Sequence, residues 1–299
     1  MSLPPRADTG LRLGLIVLVV VTLGFLLLIL TLPDQRSDPA PARASSQASL
    51  LDVLNDAPTR AAVEALRSSS PATYAELDAI AKRAIASGSD PQALSELVLE
   101  ALFAQFRLQA RAVKSTGSAE FQSIIAGLSD GLQDLKTVDS PWCRGETIAV
   151  YLAQNEADLV PSLLAEFPYG TAQYDWAMGW MTTILAAAQR GQTRPRRHSR
   201  PGSRDETVLQ QTGLALGSEQ WALGLQIAAF ANSEGTSFAE MQAVIGGMDV
   251  CELGIAVDTV SARLPEDVRA RIWADLMPEI MIGNTPYVIH RVTDYFFIG

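Results

Sequence analysis

Cys143 and Cys251 are the only two thiols in 299 residues. In an exported domain two cysteines with no other role pair as a disulfide, which would close a loop of about 108 residues. Chain entropy values such a loop at on the order of 4–5 kcal/mol. Otherwise both fill the core as small hydrophobes, and the sequence leaves the two readings open. The histidines, His198 and His290, lie far apart. No HExxH and no Cys/His cluster is present, so the sequence predicts no metal site. No GxxxxGK, GxGxxG or GxSxG occurs either, and no cofactor is expected. Glu96 and Glu100 stand four apart and share a helix face. Paired carboxylates do acid–base work when burial separates their pKa values, but the expectation here is a solvated acidic stripe. Trp176 and Trp180 have the same spacing. They are a candidate aromatic binding face, with core packing as the alternative.

The largest charge feature is RGQTRPRRHSRPGSR, residues 190–204, with Arg190, Arg194, Arg196, Arg197, Arg200 and Arg204 and no acid. Pro195, Pro201 and Gly202 keep it from being a helix interior. It reads as a basic linker loop whose arginines are candidate contacts for an anionic surface. The chain as a whole has a net charge of -10 and a pI near 4.7, which argues against a nucleic-acid partner. Asp205 and Glu206 follow the run and suit the start of a helix. Glu206-Thr207 with Gly224-Leu225-Gln226 resembles the Glu-Ser and Gly-Leu-Met-Gln elements of lytic transglycosylases. Thr in place of Ser, a missing Met and different spacing mean that no catalytic role is carried over.

These residues need elements to position them. Leu11 to Leu32 forms an apolar stretch, uncharged from Leu13 onward. Twenty helical residues span about 30 Å, the hydrocarbon thickness of a bilayer. It is longer than the apolar region of a cleaved signal peptide, so the sequence predicts an uncleaved single-pass signal anchor. The segment WAMGWMTTILAAA, residues 176–188, is too short to span and predicts a core helix. The division along the chain is a short tail 1–10, a transmembrane helix 11–32 and a flexible Pro/Ala/Ser-rich tether 33–49. A helical domain or half follows at 50–189, then the basic linker 190–204 and a C-terminal helical half 205–299. Ser70-Pro71, Asp90-Pro91 and Ser140-Pro141 pair a capping residue with a first-turn proline. Phe121, Ile124, Ile125, Leu128, Leu132 and Leu135 recur at helical spacing, as do Leu253, Val257, Val260 and Leu264. No segment alternates like a strand. The expected fold class is all-α: one N-terminal transmembrane helix followed by a multi-helix bundle or short helical-repeat array.

AEFQSIIAGL at 119–128 resembles AEMQAVIGGM at 239–248, so a duplicated helical hairpin is a candidate. Convergence of two amphipathic helices is the alternative. Arginines flank the apolar span on both sides, and a short N-terminal tail usually stays inside. This places residues 33 onward outside the cytoplasm, at a bacterial inner (plasma) membrane by composition. The expected function is that of a protein-interaction or scaffold module in the cell envelope, with the membrane and another envelope protein as partners. The alternative is an envelope hydrolase or lyase whose carboxylate site is assembled from non-local residues.

Overall fold

The structure, a computed structural model, describes residues 49–152, 167–219 and 246–282, together with 284, 287, 288 and 291. The apolar span 11–32, the tether up to residue 48, positions 239–245 of the second candidate repeat (239–248), and His290 lie outside the described residues. Among the described residues no helix is long and apolar enough to cross a membrane.

The described residues form eleven α-helices and no named strand. They are α1 (Leu50–Val53), α2 (Ala57–Ser69), α3 (Pro71–Ala86), α4 (Pro91–Leu108), α5 (Ala110–Lys114) and α6 (Ser118–Thr137). A 3-10 turn at Pro141–Cys143 leads to α7 (Gly145–Leu152). After it come α8 (Ala172–Thr193), α9 (Ser203–Glu219), α10 (Val250–Arg263) and α11 (Glu266–Ile282).

The helix starts follow from capping chemistry. Asp90 accepts from the Ala93 amide at 2.8 Å ahead of Pro91, and Asp249 accepts from Glu252 at 2.8 Å to open α10. At Ser140-Pro141 the capped element is the 3-10 turn, with Ser140 accepting from the Trp142 amide. Ser70 caps nothing with its side chain; its hydroxyl instead accepts from Gln109 Nε2.

One apolar core joins the segments on both sides of the basic run. The stripe Phe121, Ile124, Ile125, Leu128, Leu132 and Leu135 of α6 is buried, and α6 packs against α8, α10 and α11. From the C-terminal side, Leu253, Val257, Val260 and Leu264 enter the same core. Helix α8 packs against α2, α5 and α6, and it carries the buried Met178, Trp180, Met181, Ile184 and Leu185. Cys143 and Cys251 are joined in a disulfide with their Cα atoms 4.8 Å apart. Beside it, Arg144 and Asp249 form an isolated antiparallel bridge, and the Gly145 amide donates to Met248 O at 2.9 Å. The 3-10 turn and the start of α10 are thus held together covalently and by backbone.

Candidate functional site

The basic run is not a linker loop along its whole length. Arg190 to Thr193 form the last turn of α8. Nothing between them breaks a helix, and the break comes at Arg194, because the residue before a proline is driven out of the helical region. Gly191 sits in that last turn against the backbone of α5: a Cβ there would collide with Ala112 O. The absence of a side chain therefore sets how closely α8 approaches α5.

From Arg194 the chain crosses the turn between α5 and α6 as a strap. The Arg196 amide donates to Ser115 O at 2.8 Å, and His198 Nε2 lies 2.6 Å from Thr116 O. A carbonyl can only accept, so Nε2 carries the proton. The His198 ring meets Phe121 edge-on, 6.0 Å between centroids. Gln192 Nε2 donates to Gln109 Oε1 at 3.2 Å, tying the end of α8 to the α4–α5 junction. Pro201 is buried and ends the strap, and Asp205 accepts from the Gly202 amide at 3.0 Å to start α9.

Of the six arginines, Arg190 pairs with Glu120 at 2.6 Å. That carboxyl lies below its ordinary range: burial pushes it up, but the Arg190 hydrogen bond and the α6 backbone outweigh this. The side chains of Arg194, Arg196, Arg197, Arg200 and Arg204 are exposed, and no ion pair joins them to a described residue. The strap is therefore held by its backbone and by His198, which leaves these guanidiniums facing solvent.

Trp176 and Trp180 do not present an open aromatic face. They stack on one another, 6.0 Å apart with an interplanar angle of 10°. Their indole N–H groups donate to Gly127 O at 2.8 Å and Ile124 O at 2.9 Å, both on α6. Trp180 is buried, and Trp176 sits where α6 offers Gly131 in place of a side chain. Glu96 and Glu100 are both exposed, as a solvated stripe requires.

Two polar clusters were not legible in the sequence, because each joins residues distant along the chain. In the first, Gln122 of α6 donates to Asp258 of α10 at 2.6 Å and accepts from Ser261 Oγ at 2.7 Å. Ser261 in turn accepts from the Trp273 indole at 2.9 Å. Arg269 reaches Ser118 Oγ at 2.8 Å and Ser261 O at 3.3 Å. Burial pushes the Asp258 carboxyl above its ordinary range, and nearby Asp130 adds to this. In the second, Arg271 makes a two-pronged contact with the buried Asp205, at 2.9 and 2.7 Å, and also reaches Asp267 at 2.8 Å. The Arg271 hydrogen bonds hold the Asp205 carboxyl below the usual carboxylate range. Among the described residues no group of three or more His, Cys, Asp or Glu side chains could hold a metal ion.

No protein-family model matches the chain, and no curated protein or solved structure matches it.

Proposed function

We propose that this chain is a membrane-anchored helical domain that acts as a protein-interaction or scaffold module on the extracytoplasmic side of a bacterial inner membrane. The observation that carries the reading is the Cys143–Cys251 bond, taken together with the apolar stretch at 11–32. Disulfides persist in oxidising compartments, which an exported domain reaches. The stretch has the length and apolarity of an anchor. A helical body crosslinked between distant segments suits presenting a fixed surface rather than refolding around a ligand.

The test is a reporter fused after Gly299, followed by crosslinking in intact cells. Alkaline phosphatase activity and a crosslinked partner of defined mass support the proposal. A fluorescent cytoplasmic fusion, or crosslinking that recovers this chain alone, refutes it.

A hydrolase or lyase reading is favoured by one observation, the raised, half-buried Asp258 carboxyl, which would suit a general acid. Its check is hydrolysis of cell-wall glycan by the purified full chain, lost in Asp258→Asn.

A further inference from the structure

The strap does not stand alone. Residues 101–119 form a second run without an acid, carrying Arg107, Arg111 and Lys114, and the strap crosses that run at Ser115 and Thr116. Together the two runs hold nine of the chain's 23 basic residues, while all 33 acidic residues lie elsewhere. Arg111 and Lys114 are exposed, as are the five strap arginines from Arg194 onward. Leu108 belongs to the same run, next to the Gln109 that binds Gln192, and is 71% exposed. The fold therefore brings two acid-free runs together on an otherwise acidic molecule, with the Glu120 carboxylate taken up by Arg190 at their edge and an exposed leucine in one of them.

We infer that the face of these two runs docks on anionic phospholipid headgroups of the bilayer that holds residues 11–32. Guanidinium groups match phosphate oxygens two at a time. Basic side chains are attracted within a Debye length of an anionic surface. The acids elsewhere are repelled by the same surface, so the charge asymmetry also fixes orientation. Leu108 gains burial among headgroups and acyl chains, whereas a phosphate backbone or an acidic peptide gives it little. Proximity comes from the tether: residues 33–49 extend to at most about 60 Å, so an anchored domain meets the surface at high effective concentration. The inference rests on the proposed anchor for that proximity alone.

The test uses the full-length chain in nanodiscs of phosphatidylcholine, with or without phosphatidylglycerol, and follows trypsin cleavage after Arg196 and Arg197. Docking slows cleavage in the anionic discs by about tenfold, and high salt abolishes the protection. The triple variant Arg107→Gln, Arg111→Gln, Lys114→Gln keeps the strap's trypsin sites and loses most of the protection. Leu108→Ser, with unchanged charge, loses part of it. Equal cleavage in the two disc types overturns the inference. So does protection by added poly-glutamate in neutral discs with none from phosphatidylglycerol, which would assign the face to an acidic protein. Alkaline carbonate extraction reads the anchor separately. Should the chain be released, sedimentation with vesicles of the same lipids replaces the discs, and no phosphatidylglycerol-dependent pelleting overturns the docking.

Discussion

Asp258 and Asp205 are both carboxylates at helix contacts, yet their surroundings push them in opposite directions. Asp258 is penalised for its charge by burial and by Asp130, and the hydrogen bonds from Gln122 and Ser129 offset this only in part. The folded chain therefore holds that proton more tightly than the unfolded chain does. The associated stability is present below the unfolded pKa of about 3.9 and is lost as pH rises through the folded value. Asp258→Asn carries no charge and still offers Gln122 an acceptor. It is expected to raise Tm at neutral pH and to lose that advantage in acid, as thermal melts at the two pH values would show. Asp205 has the reverse sign. Its carboxyl is depressed by Arg271, so its contribution is present above the unfolded pKa and is lost as pH falls through the folded value. Asp205→Asn should therefore lower Tm at neutral pH, with the deficit shrinking in acid. Tyr174 gives a third expectation at this scale. Its hydroxyl lies 2.7 Å from Thr59 Oγ1 in the core, and burial pushes its pKa up to about 12. Tyr174→Phe leaves the buried Thr59 hydroxyl without that partner and should cost about 1–2 kcal/mol in urea unfolding.

Helices carry most of what the sequence revealed. The buried stripe of α6, the core helix at 176–188 and the cap at Asp90 follow from periodicity and local hydrogen bonding, which a chain displays in its own spacing. What the spacing does not display is which helices meet. The Gln122–Asp258–Ser261–Trp273 cluster joins residues more than a hundred positions apart, and no local pattern marks them. The basic run was legible as a charge feature. Its crossing of a second acid-free run was not, because that depends on α8 lying against α5. Gly191 is the residue at that contact. Since the obstacle to a Cβ is the backbone oxygen of Ala112, it cannot rotate away as a side chain would. Gly191→Ala is expected to destabilise by about 1–3 kcal/mol despite the better helix propensity of alanine. It should also speed hydrogen exchange at Arg196, whose amide is held by Ser115. Wild-type exchange at Arg196 would mean that the strap does not depend on the α8–α5 approach.

For the molecule as a whole, one crosslink and one charge asymmetry dominate. The disulfide spans 108 residues, from the 3-10 turn to the first turn of α10, and its loop contains both basic-strap ends and the long helix α8. A loop of that length restricts the unfolded chain far more than the folded one, by about 4–5 kcal/mol on the chain-entropy account. The folded chain has other means of holding the same place: α6 packs along α10, and the Arg144–Asp249 bridge sits beside the sulfurs. The reduced protein should therefore keep its helices and lose stability rather than structure. Cys251 is fully buried, so reductant added to the native protein should act slowly, through opening. The decisive comparison is of full chain refolded with and without reductant. Helical circular dichroism should be unchanged, and the free energy of unfolding in urea should be lower by about 4 kcal/mol in the reduced form. An unchanged midpoint would show that the unfolded chain already holds these segments close. A loss of helicity would show that α6–α10 packing cannot form without the covalent bond.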